Sequence, residues 1–204
     1  NGIPPTINWS SGGGGGGETT YTVAAGTDDG VFTAFGSFGF PSSFFVYSSS
    51  GSDAKTGREF DEDFGTYTYT KSYFRFQNIG ISQGATIQSA YLKVVYYTGS
   101  GTADLKIVGT DADNAAAPSH SSDGDTSLHT SAVVSWSNPS THSTNYQTSP
   151  DIKTVIQEIV DRGGWSSGNA IMLQTYYDSG TSQRKARTYE HSSAVHPAKL
   201  VITV

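Results

Sequence analysis

The chain has 204 residues, enough for one domain with a full core, and with no Cys that core has neither disulfides nor thiolate chemistry to call on. A net charge of -6, from 18 acidic against 12 basic residues, argues against gripping a phosphate backbone, so nucleic acid is excluded as an expected partner. No run of the sequence approaches the roughly 18 apolar residues of a membrane-spanning helix, and no charged-then-apolar leader stands at the start.

Charged residues make up 15%, well under the usual quarter, while Gly, Ser, Thr and Tyr abound. That balance fits a protein of the extracellular space, a cell surface or a virion. Asn1 rather than Met opens the chain, as expected of a processed protein or a piece of a longer one.

Residues 1–18 read as an extended Gly-rich tail: Pro4-Pro5 favours extended backbone, and Gly12, Gly13, Gly14, Gly15, Gly16 and Gly17 run without interruption. One reading makes this a flexible linker, and the other an assembly arm that contacts a neighbouring subunit. Residues 19–204 then read as a single β-sandwich domain. Thr20 to Ala25 is the first expected strand, and Asp28-Asp29-Gly30 a turn after it. Val31 to Tyr47 is rich in Phe but broken by Gly36, Gly39 and Pro41, and Ser48 to Gly65 mixes Ser, Gly and charges as a surface excursion would.

Thr70 to Asn78 alternates, with Ser72, Phe74 and Phe76 against Tyr73, Arg75 and Gln77; Ser89 to Tyr97 does the same with Leu92, Val94 and Tyr96 on one side. Leu105 to Gly109 is expected to pair with the latter strand across a Gly-rich turn, and Ala132 to Trp136 is a short strand with Trp136 as an anchor. A short amphipathic helix follows at about 150–162. Ser149 can cap it, Pro150 suits its first turn, Gly163 can stop it, and Ile152, Val155, Ile156, Ile159 and Val160 share one face. Strands at 169–177, 184–190 and 198–204 complete an all-β fold, a jelly-roll-like antiparallel β-sandwich closed by that one helix.

Tyr73-Phe74-Arg75-Phe76, followed by Ile79-Gly80-Ile81-Ser82-Gln83-Gly84-Ala85-Thr86-Ile87-Gln88-Ser89-Ala90-Tyr91-Leu92, resembles the "RF, then IPxGATIxxAYL" signature of a β-sandwich module. That module is spread through bacterial, archaeal and phage surface proteins and is related to DNRLRE carbohydrate-binding-like domains. Gly109 to Ala116, Val134-Ser135-Trp136, Pro150-Asp151-Ile152, Gly164 to Ala170 and Arg187-Thr188-Tyr189-Glu190 fit the same order, while Ser82 stands where the family has Pro. The resemblance implies an accessory or adhesive piece without chemistry of its own, with some relatives binding acidic polysaccharides.

Four sets of side chains suggest binding. Asp111, Asp113 and Asn114 put three oxygen donors within four positions at a strand end, suited to Ca2+ or, in the plainer reading, to an Asp-rich turn. Asp28 and Asp29, near Glu190 through sheet pairing, form a second such group. Tyr97 and Tyr176, the outward members of two Tyr-Tyr pairs, can stack on sugar rings, and Arg184, Lys185 and Arg187 share a strand, either as a solvated edge or as a reader of acidic glycans. No nucleophile elbow, phosphate loop or dinucleotide fingerprint occurs, and Glu59, Asp61, Glu62 and Asp63 read as a solvated run. The expectation is a non-catalytic structural or attachment module of a surface assembly, with self-association or a neighbouring subunit as partner. The alternative is a carbohydrate-binding module of a secreted polysaccharide-active protein, and no cofactor is expected beyond Ca2+.

Overall fold

The computed structural model describes residues 17–36, 46–63, 65–191 and 196–204. Two antiparallel sheets face one another. The smaller holds β1 (Glu18–Thr22), β13 (Lys199–Thr203), β6 (Ser89–Val94) and β10 (Gln147–Thr148), in that order. The larger runs β7 (Tyr96–Thr98), β12 (Gln183–Arg187), β4 (Asp53–Asp61), β5 (Thr66–Phe76), β11 (Ile171–Gly180), β8 (Ala103–Gly109) and β9 (Val134–Trp136). Against β5 lies β2 (Asp29–Gly36), itself paired to β3 (Val46–Ser48). The jelly-roll-like all-β sandwich read from the sequence is the fold observed.

Alternation sets the core. Ala90, Leu92 and Val94 of β6 and Leu200 and Ile202 of β13 meet Phe74 and Phe76 of β5, Leu105 and Ile107 of β8 and Leu173 of β11 in one buried cluster. The helix α1 (Lys153–Val160) packs against it with Val155, Ile156, Ile159 and Val160, preceded by buried Ile152. Each such side chain contributes roughly 1.5 to 3 kcal/mol when fully buried. A second, smaller cluster of Phe32, Ala34, Tyr73, Ala115 and Met172 covers the other face of the large sheet, so both faces of β5 are buried there.

Several boundaries differ from expectation, each for a local reason. The helix begins at Lys153, because Ser149 is buried and its Oγ accepts the Leu92 N–H at 2.9 Å, serving the sheet instead of capping. Asp151 Oδ1 takes the N–H groups of Lys153 and Ala90, tying the helix start to β6. Gly163 is absent from the left-handed glycines; the helix ends through Asp161 in right-handed geometry. The single strand expected over 89–97 is two, β6 and β7, because the chain switches sheets at Val95. Consequently β7 pairs with β12, and β8 pairs with β11 and β9. The excursion expected over 48–65 contains β4, hidden in sequence because its inward residues Ala54 and Thr56 are small. Asp29 opens β2 and is no turn residue. Val204, at the end of the strand expected over 198–204, is exposed.

Candidate functional site

Gly57 sits at the bend of β4. Before it the strand pairs with β12, and after it with β5. Its φ of +134° belongs to glycine, and a Cβ there would overlap Ser182 O and lie 2.7 Å from the Gln183 Cα. This bend curls the sheet and lines up outward residues of four strands: Val31 and Thr33, Lys55 and Glu59, Thr68 and Thr70, and Gln183. Together with the wall Gly51-Ser52-Asp53 and Ser48 they form an open groove of about 410 Å³. A second groove of about 350 Å³ shares Glu59 and Gln183 and adds Arg58, Phe60, Thr98 and Lys185.

The lining is polar and mixed in charge. Gln183, only 6% exposed, donates from Nε2 to Glu59 Oε2 at 3.0 Å, while its Oε1 is buried with no hydrogen-bond partner among the described residues. An amide oxygen left so costs about 1 to 3 kcal/mol unless something donates to it. At the wall, the Tyr97 hydroxyl donates to Asp53 Oδ1; burial first, and that bond second, push the phenol above its ordinary range. The His191 ring stands 4.7 Å from the Tyr97 ring, and the Arg187 guanidinium lies 5.7 Å from its centroid. His191 Nδ1 is 2.9 Å from Ser52 O and 3.6 Å from Asp53.

Of the residues singled out for sugars, Tyr97 and Arg187 come together next to the groove wall at Asp53, and Lys185 lines the second groove. Tyr176 does not: it stacks on His129 at 5.5 Å elsewhere on the large sheet. Arg184 requires correction, for it is 4% exposed and points inward. Its Nε donates to Pro139 O at 2.8 Å and its Nη2 to Gly101 O at 3.0 Å, while burial lowers its pKa. Nor is β12 a solvated edge, since β4 and β7 flank it.

The Ca2+ expectation at Asp111, Asp113 and Asn114 is also corrected. Arg162 donates to Asp111 Oδ1, and its Nε to Asp113 Oδ1 at 2.6 Å, so a guanidinium occupies the place of a cation. Asn114 Oδ1 accepts the Ala170 N–H at 2.9 Å. Among the described residues, no group of three or more His, Asp or Glu side chains is gathered to hold a metal. Gly12 to Gly16 of the assembly tail lie outside the described residues; Gly17 is exposed and leads into β1.

Asp28 and Asp29 are neighbours in the interior, and Glu190 follows Tyr189, whose N–H reaches Asp29. Asp28 is fully buried and accepts from Arg75 Nη1 at 2.6 Å and Gln77 Nε2 at 2.7 Å. Asp29, equally buried, takes the Tyr189 N–H on Oδ2 at 2.9 Å; burial, with Glu190 and Asp28 adding repulsion, pushes its carboxyl up to about 8.

No protein-family model matches the chain, so the resemblance read around residues 73–92 has no counterpart there, and no curated protein matches it. Among solved structures, the chain is similar to a Clostridium thermocellum N-terminal endo-1,4-beta-D-xylanase 10B with CBM22-1 and GH10 modules, complexed with xylohexaose. Identity is 12% and the TM-score 0.33, over 90% of this chain and 28% of that one. The chain thus spans under a third of that protein's length.

Asp53, Lys55, Glu59 and Gln183 were missed as site residues. Their signal in sequence is slight: Glu59 belongs to an acidic run, and Gln183 stands 124 positions away from it.

Proposed function

We propose that this chain is a non-catalytic attachment module of an extracellular or particle surface that holds a glycan in the groove between Thr33, Lys55, Glu59 and Gln183. The observation that supports this reading is the meeting of a polar, hydroxyl-lined groove with Tyr97 through Asp53. Carboxylate, amide and ammonium groups side by side match the mixed donor and acceptor pattern of sugar hydroxyls, and the unpartnered Gln183 oxygen awaits a donor. The Tyr97 ring, outside the groove lining and flanked by His191 and Arg187, would be met by a sugar that extends past Asp53.

Binding of the isolated chain on a glycan array, followed by titration of the best ligand, tests this. Tyr97→Ala and Gln183→Ala should each weaken binding about tenfold or more, roughly 1.4 kcal/mol. Unchanged affinity in both, or an array without a hit, removes the reading.

A second reading, structural assembly, is favoured by β1. Among the described residues it pairs with β13 alone, and its residues Glu18, Thr19, Thr20 and Thr22 are exposed, so its outer edge can accept a strand of a neighbouring subunit.

A further inference from the structure

Phe60 is 49% exposed and lines the second groove, yet its ring is backed from within the protein. Its centroid lies 4.9 Å from that of Tyr67, the residue directly opposite on β5. The Arg58 guanidinium lies over the Tyr67 ring at 4.6 Å and reaches the Tyr177 ring at 5.3 Å, and its Nε is buried with no hydrogen-bond partner among the described residues. Rings, not polar partners, hold that Nε end of the guanidinium in place. A single exposed apolar side chain is ordinary on a protein surface, whereas an exposed ring in a groove, backed by a second ring and a stacked cation, is a preorganised contact.

We infer that the second groove is a further sugar subsite with Phe60 as its stacking platform, and that the ligand is a run of several sugars occupying both grooves. This rests on the glycan reading of the first groove. The apolar face of a pyranose matches the Phe60 ring, and its hydroxyls match Thr98, Ser100, Ser182 and Lys185 in the same lining. Glu59 and Gln183 line both grooves and bond each other at 3.0 Å, so this pair is the saddle between them. The unpartnered Gln183 Oε1 belongs to that saddle, where a sugar passing from one groove to the other can donate to it. Neighbouring strands stand about 4.8 Å apart, so the first groove alone, from β2 to β12, crosses roughly 14 Å of sheet, more than one ring fills. The arrangement suits an internal stretch of a chain better than a single terminal sugar.

The probes are the disaccharide and the hexasaccharide of the best array ligand, with cello-, xylo- and manno-oligosaccharides of the same two lengths, titrated by calorimetry. The hexasaccharide should bind the wild type about tenfold or more tighter than the disaccharide. Phe60→Ala should lose that gain and leave disaccharide affinity unchanged, while Phe60→Tyr keeps both. Phe60 is half exposed, so its truncation leaves the core intact, and an unchanged Tm checks this. Equal affinity for the two lengths, or a gain that Phe60→Ala retains, overturns the inference and leaves the first groove to be judged by Tyr97→Ala and Gln183→Ala. No binding of any probe removes both.

Discussion

Lys71 carries an amine into the interior. It has 0% exposure on β5, where its Nζ donates to Gly124 O and lies 2.8 Å from His129 Nε2. Burial lowers its pKa to about 7, against a smaller opposing pull from Asp125, and burial with the Lys71 charge lowers that of His129 to about 3. In both cases the unfolded chain holds the proton more tightly than the folded one. Stability therefore rises with pH, from about 3 to 6.5 through His129 and from about 7 to 10.5 through Lys71. Denaturant melts at pH 7 and pH 10 should show the wild type gaining stability across that window, with Lys71→Met flattening the gain. Equal slopes in the two proteins would count against a neutral buried lysine. Tyr176 belongs to this cluster, at 5.8 Å from Nζ, which is why it stands apart from the groove.

Among the elements, β4 does most to build the site. Its first half belongs with β12 and its second with β5, and the bend at Gly57 turns Lys55 and Glu59 onto one surface. A side chain at that position meets both a positive φ and the backbone of Ser182 and Gln183. Gly57→Ala should cost about 2 to 4 kcal/mol, the sum of backbone strain and steric displacement. It should also weaken glycan binding beyond the loss seen in an equally destabilised core variant, because the two halves of the groove part there. Chemical denaturation and ligand titration measure the two effects separately. The helix α1 has the opposite character: its buried stripe plugs the sandwich, and its Gln157 and Glu158 side chains bond the main chain at Ile87 and at Ser131 and Ala132.

For the whole molecule, the open question is whether the β1 edge joins subunits. Thr20→Lys places a charge on a strand edge, a change that blocks edge pairing while leaving the β13 ladder intact. If assembly runs through β1, sedimentation of the wild type should show oligomers that this variant lacks. A wild type that sediments as a monomer at high concentration removes the second reading and leaves glycan attachment alone. The two proposed roles would use different parts of the fold: β1 lies at one edge of the small sheet, and the groove is built on the large one.

The all-β class, the amphipathic helix and most strands were legible in the sequence because they rest on periods of 2 and 3.6 residues, which are local properties. Leu92, Val94, Phe74, Phe76 and the helix stripe were found that way. The approach of the Tyr189–Glu190 segment to Asp29 was half legible, while the Asp111-Asp113-Asn114 group looked stronger because nothing local shows that Arg162 reaches it. The groove was not legible at all. Glu59 meets Gln183, and Asp53 meets Tyr97, only through strand register and the bend at Gly57, and register is decided by how two sheets pack over one core. Periodicity along the chain therefore determined which residues turn inward; tertiary packing alone decided which of the outward ones stand together.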